Sequence, residues 1–367
     1  MRDPALHRVL VPGLVNRRVR AIPVHTMSAL GLIVGCAACA GDPGTPGPDD
    51  PPDQERQPIV FSVSPLRLED LTSIVPLGSL NPPAHTIPND HIAFNYVDRC
   101  PCDLSPRPVF APAGGTVRLI LRGDDDGIEI GQPPDVAGSE YQPWYYMGHV
   151  LLRSDIQVGQ RVTAGEQIGT TSPFALGVDL GLVDVQEVTN NFIVPLRYHV
   201  KAIHGDKPLR HFTSPLRVML YSRVLREGPE RDGRFDYDAP RRLSGGWFHE
   251  SLPRDNRSTG PEGWTRNLAF VWWERDPTVP VVSVGGTILP ALVYWIDAAD
   301  PAFGDVGTAS GAVRYHLHIA RPLPGTTPTP DHVLLVQLIA DDRLKVEVFP
   351  GTATPVTFTT NAVEYLR

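Results

Sequence analysis

Apolar and polar positions alternate over short distances along this chain, and turn residues interrupt nearly every apolar run. Strands are expected at 108–110, 116–121, 145–152, 177–185 and 196–203. A second block from about residue 214 adds 216–225, 242–250, 267–274, 281–284, 292–297 and 312–320. It ends in a hairpin, 334–340 with 344–349, turning at Asp341-Asp342. In the second strand of that hairpin Leu344, Val346 and Val348 alternate with Lys345 and Glu347, so one face is wet. No window keeps a helical period over several turns. The 39 prolines cluster between apolar runs, which fits short strands and turns because proline breaks helix interiors and central ladders. The expected fold class is all-β, with a first β domain over 59–212 and an antiparallel sandwich or barrel over 213–367. The boundary lies in the charged, glycine-bearing stretch 205–240.

The start of the chain changes the picture. Residues 1–35 carry five arginines against one acid, Asp3, and a short apolar run follows from Met27 to Cys39. That is the pattern of a secretory signal, too short for a spanning helix of about 20 apolar residues. Ile33-Val-Gly-Cys36 resembles a bacterial lipobox, which implies cleavage after Gly35 and lipidation at Cys36. Cleavage near Ala40 is the alternative. Residues 36–58 are rich in proline and acid, with little to bury, and read as a solvated tether. Removing the leader takes basic residues from 33 to 28 and acidic ones from 41 to 40, a net charge near −12. Such a balance argues against nucleic acid as a partner. Cys100 and Cys102 flank a proline and read as a loop bridge or two free thiols.

Three segments carry the chemistry. They are Val109-Phe-Ala-Pro-Ala-Gly-Gly-Thr-Val117, Tyr146-Met-Gly-His149 and Ile156-Gln-Val-Gly-Gln-Arg-Val-Thr-Ala-Gly-Glu-Gln-Ile-Gly169. Together they resemble the β core of the lysostaphin-type peptidoglycan metalloendopeptidases, a duplicated hybrid motif fold, over about residues 80–200. The glycine ladder also looks like a lipoyl or biotinyl carrier. No lysine lies between Thr116 and Ile156, which removes the attachment point a carrier needs.

The resemblance implies a zinc ion on a His-x-x-x-Asp pair and on the last histidine of a His-x-His strand. A further histidine before the ladder assists catalysis. Here the first pair reads His91-Ile-Ala-Phe-Asn95, with a neutral amide where the carboxylate belongs. The later strand reads Gly177-Val-Asp-Leu-Gly-Leu-Val-Asp184, so Asp179 and Gly181 stand where the two histidines should be. His149 matches the catalytic histidine. His91, Asp179 and His85 remain as candidate metal ligands, with Asp90 and Asp98 nearby. The plain alternative has His85 and His91 bonding backbone and capping turns.

Other features compete. Tyr315-His-Leu-His-Ile319 has the missing His-x-His pattern but lies far downstream, and is expected as a half-buried strand with His316 and His318 in solvent. Gly123-Asp-Asp-Asp-Gly127 is expected as a solvated acidic turn, since it lacks the spacing of a calcium loop. Tyr141, Trp144, Tyr145 and Tyr146 gather before His149, as a sugar platform or as ordinary strand residues. There is no nucleophile elbow, P-loop or dinucleotide fingerprint.

The reading that results is a bacterial cell-envelope lipoprotein, membrane-anchored and facing the periplasm or exterior. Its metallopeptidase-like domain is catalytically degenerate and binds peptidoglycan, a glycan or an envelope protein. No cofactor is expected. The rival is an active zinc endopeptidase with rearranged ligands, drawn from His85, His91, His149 and Asp179. A structural envelope component is the third reading.

Overall fold

The structure, a computed structural model, describes residues 56–97, 105–133, 136, 138, 141–323, 325, 326 and 328–367. The signal, Cys36 and Cys39, most of the tether, Asp98, Cys100 and Cys102 lie outside the described residues. Residues 51–367 form one compact unit. It is built of strands, as expected, in two parts.

The first part is a ten-stranded sheet. Its strands are β1 (Ser73–Val75), β2 (Ile92–Asn95), β3 (Pro108–Phe110), β4 (Gly115–Leu121), β5 (Asp126–Gly131), β6 (Trp144–Leu152), β7 (Arg161–Val162), β8 (Gln167–Thr171), β9 (Gly177–Val183) and β10 (Gly205–Asp206). The main path runs β1-β2-β9-β6-β5-β4-β7, with β10 on β9 and β8 bridging β3 to β6. The second part is a closed antiparallel barrel in sequence order. It comprises β11 (Gly245–His249), β12 (Asn267–Trp272), β13 (Pro280–Val284), β14 (Leu292–Ile296), β15 (Val313–His318), β16 (His332–Ala340), β17 (Arg343–Pro350) and β18 (Val363–Leu366). Closure of β18 onto β11 leaves no open edge to cap.

Period-2 alternation explains both cores. On β12, Leu268 and Phe270 face the barrel interior with Trp247, Tyr294 and Tyr315. The intervening Ala269 and Val271 face outward and are equally buried, against Tyr237, Val281, Leu80 and Ile87. Leu80 and Ile87 belong to the segment that precedes β2, so the barrel packs directly on the loop carrying His85. On β11, Trp247 enters the barrel while the next residue, Phe248, enters the core of the sheet.

Two expected strands are helical. Residues 196–203 form a 3-10 turn, Pro195–Arg197, and the short helix α1 (Val200–Ile203). Within 216–225 lies helix α2 (Ser214–Tyr221). Pro195 and Pro215 sit in the first turns, where a fixed φ and a missing N–H cost nothing. Leu216, Leu220 and Val224 fall four apart and pack on the core of the sheet, a helical period hidden in a short apolar run.

Candidate functional site

Strands β2, β9 and β6 lie side by side and present one face of each to a common cleft. Ala93 pairs with Asp179, and Asp179 pairs with Gly148. Alternation places His91, Ala93 and Asn95 on that face of β2, because Ile92 and Phe94 are fully buried in the core. The same rule places Asp179 and Gly181 there on β9, and Tyr146 and Gly148 on β6. His149 belongs by parity to the opposite face. A bulge corrects this: Ile128 pairs with Met147, but Asp126 pairs with Val150, so residues 148 and 149 together oppose one residue of β5. His149 has φ 60°, in the left-handed region that a non-glycine residue seldom adopts. That local strain turns its ring toward Asp179, as strained residues at sites often do.

The result is a chain of contacts. Asp179 Oδ2 lies 3.2 Å from His91 Nε2 and 3.3 Å from His149 Nε2. His91 Nδ1 is 3.0 Å from Asp90 Oδ1, and His149 Nδ1 makes a short bond to Asp125 Oδ2. Each imidazole thus has its Nδ1 on an outer carboxylate and its Nε2 toward the shared inner one. Tyr146 donates its hydroxyl to Asp90 Oδ1 at 2.7 Å. The His85 ring packs edge-on against His91 with centroids 5.3 Å apart. Its loop is held by reciprocal backbone bonds between Asn81 and His85, and by Thr86 Oγ1 donating to the barrel carbonyl of Trp264 at 3.3 Å.

Charge follows geometry. Burial works against a charged His91, but Asp179 and Asp90 outweigh it and raise its pKa to about 10. Burial also opposes ionised Asp179, yet His91, then His149 and His85, bring it down to about 2. His85 is lowered to about 4 by burial and then by the neighbouring His91. Burial, followed by Asp90, pushes the Tyr146 hydroxyl well above its ordinary value.

All four candidate residues, His85, His91, His149 and Asp179, therefore line one cleft of about 490 Å³. The other two positions marked by the resemblance differ. Asn95 donates its amide to Ser73 Oγ at 3.3 Å. A Cβ at Gly181 would fall 2.0 Å from Tyr146 Cζ, so the Tyr146 ring occupies the space a ligand at 181 would need. The space beside Gly181 is thus filled by the Tyr146 ring.

Three residues take parts in the site that the sequence did not assign to them. Asp125 belongs to the acidic run, which is not simply solvated. Asp126 is buried and accepts from Gly123 N and Leu152 N, while Asp125 holds His149. Tyr146 is part of the site rather than a free aromatic platform. Asp90 acts as an outer carboxylate and not as a substitute ligand. A carboxylate directly before His91 was the readable signal. The downstream pair also departs from expectation. His318 is buried with Nε2 2.9 Å from Asp297 Oδ1, and His316 Nδ1 is 2.6 Å from Asp300 Oδ1. These acidic partners come from the turn after β14 and hold both histidines on the outer face of the barrel, opposite Tyr315 and Leu317.

The donor types in the cleft suit zinc, which binds imidazole and carboxylate at about 2.0–2.2 Å. Tetrahedral donors at such distances stand about 3.3 Å apart, and the two Nε2–Oδ2 spacings match that. As the side chains stand, no group of three or more His, Cys, Asp or Glu among the described residues meets the arrangement of a metal centre.

No family model matches the chain, and no curated protein is similar to it. Among solved structures it is similar to Helicobacter pylori Csd3, from an orthorhombic crystal, at 12% identity and a TM-score of 0.27. The match covers 45% of this chain and 40% of that one, well under two thirds of the latter's length.

Proposed function

We propose that the protein is a cell-envelope zinc protein in which a lysostaphin-type scaffold carries a rearranged donor set. His91 Nε2, His149 Nε2 and Asp179 would hold the ion. The observation that carries this reading is the pair of Nε2–Oδ2 spacings, with each Nδ1 already engaged by a carboxylate. Metal-ligating histidines almost always have such an outer partner, which fixes the tautomer and the ring. Zinc, when bound, supplies Lewis-acid chemistry and acidifies a bound water. The chain's residues prepare for it. Asp90 and Asp125 orient the two rings, His85 offers a neutral imidazole to the same cleft, and Tyr146 closes the space beneath. The reaction class this set serves is metal-assisted hydrolysis of a peptide bond, on peptidoglycan peptides. Anchoring through a lipid on Cys36 is part of the same proposal, and Cys36→Ser is expected to release the protein from membranes.

The test is metal content of the purified full chain. About one zinc per chain is expected, lost on His149→Ala and on Asp179→Asn while circular dichroism stays that of the parent. A chain that takes up no zinc from micromolar free ion overturns the reading. A second reading then stands, favoured by the filled position at Gly181: an inactive scaffold that binds wall fragments or an envelope protein. Retention on purified peptidoglycan separates it from a structural role.

A further inference from the structure

The cleft is not made by the sheet alone. Glu274 and Arg275, which follow β12 of the barrel, form part of its wall, and Phe174 and Leu176, between β8 and β9, form its rim. Arg275 is the one Lys or Arg among the described residues that line it. The floor beneath carries Asp179, with Asp90 and Asp125 behind the histidines. Apart from the proposed metal position and His91 on the sheet side, an anionic ligand group entering this cleft meets one further cation, on the barrel side.

Arg275 is exposed and lines the cleft, and its Nε lies 3.5 Å from the buried Glu274. Its base is stiff. The Arg275 carbonyl accepts from Glu227 N at 2.9 Å, and Arg226 donates to the Glu274 carbonyl at 2.8 Å. The guanidinium lies 5.9 Å from the Trp273 ring, which meets Trp295 edge-on at 5.2 Å. Arg321 covers both indoles, at 5.2 and 5.3 Å. A guanidinium held on such a platform presents a fixed fork to a carboxylate, the geometry that favours bidentate pairing. Across the cleft Phe174 is 69% exposed and Leu176 49%, apolar surface suited to a side chain of the ligand. Asn81, Asn89 and Asn95 line the space between; Asn89 accepts from Ser79 N and Asn95 donates to Ser73 Oγ, and the remaining amide atoms can pair with a peptide backbone.

We infer that this cleft recognises a peptide with a free C-terminal carboxylate, and that Arg275 of the barrel is the residue that selects it. The inference rests on the reading of the cleft as a binding site and adds the ligand class and the residue that sets it. It also gives the barrel a role in recognition.

The experiment is a calorimetric titration of the zinc-supplemented full chain with N-acetyl-lysyl-D-alanyl-D-alanine and with the same peptide amidated at its C-terminus. The acid is expected to bind about tenfold tighter or more than the amide, as a charge-assisted hydrogen bond allows. Arg275→Ala is expected to abolish that difference, and Arg275→Lys to keep part of it. The exposed position leaves unfolding of the variants unchanged, which a thermal melt checks. Equal binding of acid and amide, or no binding of either, with zinc retained, overturns this inference and leaves the metal reading intact. A chain that takes no zinc but still prefers the acid through Arg275 overturns the metal reading and supports this one.

Discussion

An imidazole held between two carboxylates answers to pH differently from one in water. His91 is that imidazole, 3.0 Å from Asp90 and 3.2 Å from Asp179. Its folded pKa is raised to about 10, so the contribution of its charge to stability is complete below its unfolded value of about 6.5. That contribution is lost as pH rises through 10. Asp179, lowered to about 2, behaves oppositely. Its contribution is present above its unfolded value of about 3.9 and is lost as pH falls toward 2. The pair therefore supports the fold best between about pH 4 and 6.5. Urea unfolding of the zinc-free protein is expected to show stability falling from pH 6 to 10 by on the order of 2–3 kcal/mol more than in His91→Asn. Parallel pH profiles for parent and variant are the result that removes the ion pair from the account. Zinc competes with the His91 proton, so added zinc is expected to flatten the alkaline fall.

Strands decide which residues meet, and the β6–β9 pair shows how two positions shape the cleft. Tyr146 pairs with Gly181, and the tyrosine ring lies where any side chain at 181 would point. Gly181→Ala is expected to destabilise by about 3 kcal/mol, because the new Cβ has no room without displacing a ring bonded to Asp90. Tyr146→Ala empties the same space and is expected to cost about 3–5 kcal/mol alone. The two together are expected to cost clearly less than their sum, which a double-mutant cycle in denaturant measures; additivity refutes the steric coupling of residues 146 and 181. These strands also show what sequence reveals. β9, β6 and the glycine ladder were legible because alternation and turn glycines are local signals. Glycine at 181, where the resemblance expects a histidine, is legible in the sequence, but the Tyr146 ring beside it is not, since only the register puts them opposite. His149 was picked for its place before the ladder, and the bulge that swings it onto the cleft face has no signature in Gly148-His149 alone. Short β1, β5, β8 and β18 escaped because three to six residues carry too little periodicity. The helix at 214–221 escaped because its apolar positions were taken for a strand.

At the scale of the whole molecule the question is whether sheet and barrel stand or fall together. Phe248 answers it, as a barrel residue fully inside the core of the sheet, beside a neighbour, Trp247, fully inside the barrel. Around it Tyr198 meets its ring edge-on at 5.5 Å and Arg197 stacks at 4.9 Å. The buried Arg197 guanidinium bonds Ser258 Oγ at 3.0 Å and the Pro253 carbonyl at 3.2 Å. Asp238 ties Gly246 N of β11 to the same region, at 2.9 Å. A seam with aromatic packing and a buried cation whose Nη1 bonds across it does not resemble the polar contact between independent domains. Phe248→Ala is expected to lower stability by about 3–5 kcal/mol, and to shift sheet and barrel in one transition. Tryptophan supplies the probes, with Trp144 in the sheet and Trp247 in the barrel, each kept in turn in variants lacking the others. Coincident curves in parent and variant are expected. Two separate transitions in the parent would mean that the barrel wall carrying Arg275 and the loop carrying His85 are not held against the cleft by a common fold, and the cleft as described would dissolve with them.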